Sequence, residues 1–600
     1  MVASFLLSAV VFSLGSLALP RVAAQESART FNFIISWKPH APDGVAREML
    51  LVNDQTPGPV IAVEQDDWVV VNVHNDSPFE TSVHFHGIEM GSTPWSDGVP
   101  GVTQRAIKPG CRFVYRFQAT QYGSYWYHSH FKDQLEDGLY GPIVIHARPG
   151  TPKPFSMIRK DEASIEVMEK AERRVQPLMM YDFMHITSER KWNITPQAGV
   201  ELSCYDSLLF NGKGRVTCLP EREMMSHLGP AQEADLALVP GEKLTDKGCL
   251  PAIVMAAFGN SAKDLNESAM PKGIFEGCRE TRGSTEVIKA RGPWIAIDII
   301  GAVNFVSGIV AIDDHDMWVY AVDGSYIEPQ KVQALALSNG DRYSVLVQTR
   351  RPGRYPIRLH ANSAPQTIVG HAILHVPGVA AAHRKPRQWI DIIGNPLSKD
   401  VVFFDEATAR PYPPQPIAQK ADALHVLSMR LNGASYRWAL NSTALTPTTL
   451  DHESPPILFD PSLTMAKHDD VTIQTRNGTW VDLVFFSAVY PMPPHPIHKH
   501  GVKMFKIGSG TGPFKWGSVE DAAREAPHLF NLVNPPWRDT FVSEPVTDAA
   551  KWTVVRYRVT HPGAWLLHCH ISNHMVGGMM MVVLDGVDAW PSIPGEYLRY

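Results

Sequence analysis

The chain has 600 residues, 44% of them hydrophobic and 19% charged, with a formal net charge of -6. That length predicts three or four domains with sizeable cores, and mixed charge of both signs excludes a basic nucleic-acid patch or a polybasic membrane stripe. Past the N-terminus no apolar run approaches the ~20 residues of a membrane span.

Phe5 to Leu19 is an uncharged, mostly apolar run that ends near Val22-Ala23-Ala24, so residues 1–24 read as an export signal, although the n-region lacks a positive charge. Short runs rich in Val, Ile, Tyr and Thr between Gly, Pro and Asn turns then predict β-sandwiches. The first unit is placed at 25–148 and carries His84, His86, His128 and His130. Residues 149–174 form a linker whose charged stretch, Arg159 to Arg174, has helical character. A second unit spans 175–378, interrupted at 219–293 by an insertion to which no chemistry attaches. The connector at 379–423 holds Pro411-Tyr412-Pro413-Pro414-Gln415-Pro416, which cannot sit in a central strand. The third unit, 424–600, carries His495, His498, His500, His568, Cys569, His570 and His574.

Cysteine usage fits an oxidising compartment. Cys204, Cys218, Cys249 and Cys278 cluster and predict two disulfides, with three pairings open. Cys111 is left over and reads as a buried, unreactive thiol. Sequons at Asn75, Asn193, Asn266, Asn441 and Asn477 allow glycosylation on an export route; those at Asn75 and Asn193 are weaker because proline follows.

Internal similarity makes the units copies. Gly123-Ser124-Tyr125-Trp126-Tyr127-His128-Ser129-His130 aligns with Gly563-Ala564-Trp565-Leu566-Leu567-His568-Cys569-His570, and Gly138 and Gly578 follow at the same offset. Where the C-terminal copy has His495, Cys569, His574 and Met579, the N-terminal copy has Thr81, Ser129, Gln134 and Leu139. The middle copy, Gly353 to His360, keeps the turn and loses the pairs, so His360 reads as a structural or surface histidine.

In an extended strand, residues two apart project to one face. Each H-x-H therefore delivers two imidazoles side by side, and the pairs 84/86, 128/130, 498/500 and 568/570 supply eight nitrogens. Two three-coordinate coppers and one two-coordinate copper need that number. Cys569, between His568 and His570, points the other way, toward a second site. Two histidines, a thiolate and a weak axial methionine make a blue-copper centre, and His495, Cys569, His574 and Met579 provide that set. A structural zinc site, a closed tetrahedron of four ligands, fits this donor set poorly.

The segments His84-Phe85-His86-Gly87, Trp126 to His130, His495 to Gly501 and His568 to Met579 resemble the four signature motifs of multicopper oxidases, in order and across nearly the whole chain. Leu208 to Arg215 (LLFNGKGR), Met317-Trp318-Val319-Tyr320, Asn477 to Asp482 and Leu584 to Pro591 look like those of ascomycete conidial-pigment and secondary-metabolite laccases. The resemblance implies an all-β chain of three cupredoxin-like Greek-key β-sandwiches holding four copper ions. Type 2 copper would take His84 and His498; the type 3 pair would take His86, His128 and His570, and His130, His500 and His568. Type 1 copper would take His495, Cys569, His574 and, weakly, Met579, with substrate electrons entering at an exposed edge of His574.

Methionine at 579 implies a lower-potential entry site suited to electron-rich phenols and naphthols. Asp97, in Trp95-Ser96-Asp97-Gly98, matches the acid this family sets beside the type 2 copper and is a candidate proton relay; a solvated turn aspartate is the plainer alternative. Glu221 and Glu223 read first as surface glutamates and second as contacts for phenol hydroxyls. There are three departures from the family pattern. Ser572 and Asn573 stand where many relatives carry an acid, Gln104-Arg105-Ala106-Ile107 replaces a cysteine-bearing motif, and the C-terminus, Glu596 to Tyr600, lacks the plug of some ascomycete laccases.

The reading is a secreted laccase-type oxidase, extracellular or wall-bound and monomeric, that takes single electrons from polyketide-derived phenols or naphthols and passes four to O2. The phenoxyl radicals would couple into dimers or pigment; whether an auxiliary protein steers them is not legible in the sequence. A ferroxidase and a non-catalytic copper-binding protein are the rival readings.

Overall fold

The computed structural model describes residues 28–259, 262–361, 363–378, 385–460, 469–488 and 492–599; the signal reading over 1–24 lies outside the described residues. Strand formation follows the period of two. Trp68–Asn75 alternates half-buried and buried side chains along its whole length, as a strand does with one face on a core.

Six sheets form three face-to-face pairs, and the all-β reading holds. Strands between 29 and 146 make the first pair, those between 176 and 376 the second, those between 423 and 585 the third. The first and third pairs repeat one strand order. Arg29–His40 runs parallel to Trp68–Asn75, as Ala423–Asn432 does to Trp480–Ser487. In the opposite sheets His84–His86 lies against Gly123–His128, as Pro496–Lys499 lies against Gly563–Cys569.

One apolar core runs from the middle pair into the third, and another joins the first to the third through residues such as Val102, Leu450 and Trp565. The backbones of the first and third units touch directly, with Ile457 and Leu458 donating to Gly101 and Val102 carbonyls. A helix at Glu162–Glu172, capped by the Asp161 side chain, lies between the first and second units.

The described residues of the insertion include the short α-helices Glu221–Met225, Pro230–Leu236 and Ala252–Phe258, around an apolar cluster that includes Cys204 and Cys249. The disulfides are Cys204–Cys249 and Cys218–Cys278, which tie it to the middle unit. Two readings need correction. Cys111 is a free thiol at the surface, because it closes the Lys108–Cys111 turn ahead of the strand Arg112–Gln118. The Asn75 sequon is buried, its amide donating to the Phe79 and Ile107 carbonyls, and so has no room for a glycan.

Candidate metal centre

The cross-strand register sets the imidazoles face to face. His84 lies opposite His128, and His498 opposite His568, at equivalent positions of the first and third units. Because those units dock through these sheets, all eight paired histidines meet in one buried cavity.

The donor atoms fall into small groups: His86 with His128 and His570, His130 with His500 and His568, and His84 with His86 and His498, each set offering ligand atoms within 4.8 Å of one another. Rings cross between units. His84 stacks on His500 at 3.9 Å and His86 on His498 at 3.8 Å. Burial holds His568 down at about 4 and keeps His86, His128, His130, His498, His500 and His570 well below the usual imidazole range, so these rings are neutral. Neutral imidazole is the metal-binding form.

Hydrogen bonds at the outer nitrogens orient the rings. Nδ1 of His84 faces the Asp97 carbonyl at 2.6 Å, that of His498 the Asp539 carbonyl at 2.9 Å, and those of His128 and His568 the carbonyls of Ser129 and Cys569. His86 is turned the other way, with Nε2 at 3.3 Å from Asp539 Oδ1 and Nδ1 at 3.1 Å from His570 Nε2. The Nε2 atoms of His84, His128, His130 and His498 are buried without a hydrogen-bond partner. Orphaned buried nitrogens are costly; four converging ones, neutral and pre-oriented, fit metal ions.

Asp97 is buried. Its Oδ2 is 2.8 Å from His500 Nδ1 and its Oδ1 3.3 Å from His84 Nδ1, so one carboxylate brackets histidines of both units. This excludes the solvated-turn alternative. Gly98, at φ +89°, lets the turn pass the chain, since a Cβ there would lie 2.0 Å from the Val83 carbonyl oxygen.

A second group lies on the opposite face of the Cys569 strand. Cys569 Sγ is 3.6 Å from both His495 Nδ1 and His574 Nδ1, which are 3.0 Å apart. Burial holds His495 down at about 3 and pushes the Cys569 thiol well up, so only a bound cation would make it a thiolate. Met579 is fully buried in the same apolar cluster as Cys569, its backbone bonded to both Cys569 and His574.

The edge of His574 is not exposed. The residue is 1% accessible, with Glu201 Oε1 3.7 Å from Nε2, the Phe305 ring edge-on at 5.6 Å and the Trp438 ring at 4.0 Å. The middle unit and its insertion lie over it, with Phe258 of the insertion 6.4 Å from Trp438. Burial raises the Glu201 carboxyl to about 8. Glu221 is exposed and pairs with Lys243, while Glu223 sits on the same short surface helix.

Several residues escaped the sequence reading. Glu201 and Met492, whose Sδ is 3.3 Å from His495 Nε2, carry no motif. Arg342 of the middle unit grips Asp539 with two hydrogen bonds of 2.6 Å, behind His86 and His498. Asn573 accepts from buried Lys191 at 2.6 Å, and Lys191 also pairs with Asp133 and Glu136, so three units meet behind the short helix that carries His574. No local pattern marks such long-range partners.

Multicopper oxidase family models match residues 34–150, 281–378 and 441–589. Among characterised proteins, the chain is 39% identical over 592 residues to laccase abr2 of Aspergillus fumigatus, covering 97% of this chain and 99% of that protein. It is 38% identical over 584 residues to multicopper oxidase VdtB of Byssochlamys spectabilis, covering 95% and 84%. Among solved structures, a laccase from Botrytis aclada superposes with a TM-score of 0.67 at 22% identity, covering 95% of this chain and 90% of that one. Fet3p, described as a multicopper oxidase that functions in iron import, superposes at 0.65 with 20% identity, covering 96% and 94%. At these identities the two structures speak for the fold alone.

Proposed function

The chain belongs to the multicopper oxidase family, a laccase-like class of oxidoreductase, and we propose that it is an exported enzyme that oxidises phenols or naphthols of polyketide origin one electron at a time. The radicals would couple into dimers or pigment while O2 is reduced to water. The observation that carries this reading is the pairing of two donor sets, eight imidazoles from both ends of the chain and the His495, Cys569, His574 group, joined through a single residue. Export rests on the N-terminal apolar segment and the two disulfides, and among the described residues no helix is long and apolar enough to cross a membrane.

We assign type 2 copper to His84 and His498, the type 3 pair to His86, His128 and His570 and to His130, His500 and His568, and type 1 copper to His495, Cys569, His574 and weakly Met579. Bound there, four coppers would supply four one-electron stores, the number that matches a one-electron donor to four-electron O2. The protein's own part is orientation. Asp97 and the Asp539 carbonyl hold protons at the outer nitrogens of His84, His500 and His498, which keeps the inner nitrogens free. Cys569 joins the two donor sets covalently, since its neighbours His568 and His570 belong to the other group. We assign the proton relay to Asp97, whose buried carboxylate lies between His84 and His500. Ser572 and Asn573 offer no second acid, and Asn573 is committed to Lys191. His574 remains the electron-entry residue, beneath Glu201, Phe305 and Trp438.

Oxygen uptake with a dihydroxynaphthalene and with ferrous ion tests the proposal. Turnover on the naphthol is expected to dominate. A clear preference for ferrous ion would establish a ferroxidase instead, and a blue, copper-replete protein that consumes no oxygen with any phenol would establish a copper-binding protein without catalysis.

A further inference from the structure

A ring system cannot reach His574 directly while Glu201 and Phe305 cover it, so the approach from other sides matters. A groove of about 450 Å3 opens where the three units meet, within the ~300–1,000 Å3 range of small-molecule pockets. All three units contribute aromatic side chains to its walls: Trp37, Phe79 and Phe131 from the first, Trp192 from the middle, Tyr436 from the third. Its floor includes Val576, the last residue of the short helix Ser572–Val576 that carries His574, and Gly577, which caps it.

The floor is in contact with the buried centre. Tyr436 lies two residues before Trp438 on the strand Ala434–Leu440, and its carbonyl borders Gly577. A Cβ placed on Gly577 would lie 3.0 Å from Trp438 Cδ1, and the Trp438 ring packs 4.0 Å from His574 and 5.1 Å from His495. One indole thus separates the groove from both histidines. Polar and charged groups interleave with the aromatics: Trp192 Nε1 donates to buried Asp133 at 2.7 Å, Gln134 and Asp137 are also buried, and Glu189 and Arg437 stand exposed.

We propose that this three-unit groove is the docking site for the fused aromatic ring of the substrate, with Trp192 and Tyr436 stacking on its faces and Glu189 and Arg437 meeting its hydroxyls. The proposal rests on the phenol-oxidising reading. Aromatic side chains contributed by all three units suit the face of a planar polycyclic phenol, and the polar and charged side chains among them suit its hydroxyls.

The test is calorimetric titration of the copper-loaded enzyme with 1,8-dimethoxynaphthalene, which keeps the rings and has no phenolic proton to lose. One saturable site is expected. Trp192→Ala and Tyr436→Ala should each weaken it about tenfold and raise KM for the dihydroxynaphthalene, Trp192→Phe should restore it, and the blue absorption should report a folded, loaded protein throughout. Phe305→Ala, at a ring that packs against His574 and does not line the groove, should leave probe binding unchanged. The inference is overturned if the wild type shows no saturable binding, or if Phe305→Ala weakens the probe while both groove variants bind it normally. Probe binding lost in the groove variants of an enzyme that oxidises no phenol would sustain the groove and remove only the phenol reading; phenol turnover with unchanged KM in those variants would do the reverse.

Discussion

The first and third units share a core strand order and the same histidine pairs, the third adding edge strands to both sheets, and their chemistry parts at one spot. In the third, His495, Cys569 and His574 converge with sulfur-to-nitrogen distances of 3.6 Å. At the matching place in the first, Thr81 and Ser129 donate to Gln134 Oε1 at 2.8 and 2.9 Å, and the Gln134 amide donates to the Glu80 carbonyl at 2.7 Å. The sandwich therefore builds a three-residue cluster on the far face of its H-x-H strand whether or not a metal is wanted. Side-chain chemistry alone decides between a donor set and a closed hydrogen-bond knot. The middle unit is a third outcome, in which His360 is buried and bonded through Nδ1 to the Asp391 carbonyl.

Cys569→Ser should have the largest effect on this contrast. Spectroscopy and copper analysis should find the blue absorption gone, one copper per chain lost and phenol oxidation abolished; a variant that stays blue would break the assignment. Asp539→Ala comes next, because it takes the bidentate carboxylate from the buried Arg342 guanidinium and leaves only Asp323, at 3.5 Å, as a counter-charge. Denaturant unfolding should show a loss of about 3–5 kcal/mol, with copper depleted at the eight-histidine cavity.

His360 sharpens the comparison through pH. Burial lowers its folded-state value from 6.5 to about 4, so the unfolded chain binds the extra proton between those values. Stability is fully present above pH 6.5 and falls as pH drops toward 4, by about 3 kcal/mol at 1.36 kcal/mol per unit. His360→Asn should remove one proton from the slope of unfolding free energy against pH. Gln134→Ala should act least, costing about 1–3 kcal/mol by leaving the Thr81 and Ser129 hydroxyls unpaired. Its blue absorption should match the wild type, since the two far-face clusters are independent; a loss of colour would show that they are coupled.

Much of this was legible in the residues. Alternation along a strand is a local rule, so His84 and His86 had to share a face and Cys569 had to point away from His568 and His570. The copy relation between Gly123–His130 and Gly563–His570 predicted where the first unit would lack a blue-copper set. Fold class followed from strand patterning and the motif resemblance. Other features depended on partners far apart in sequence: Arg342 behind Asp539, Lys191 on Asn573, and the choice among three cysteine pairings.

By itself the sequence determined which side chains lie on one face of a strand and which copies keep donor chemistry, because both depend on spacing and residue type over a few positions. Only the tertiary structure decided that His574 lies buried beneath Glu201, Phe305 and Trp438, that Cys111 reaches the surface, and that an aromatic groove opens at the three-unit junction. Exposure and long-range pairing depend on how whole sandwiches dock, and no stretch of chain contains the surface that will cover it.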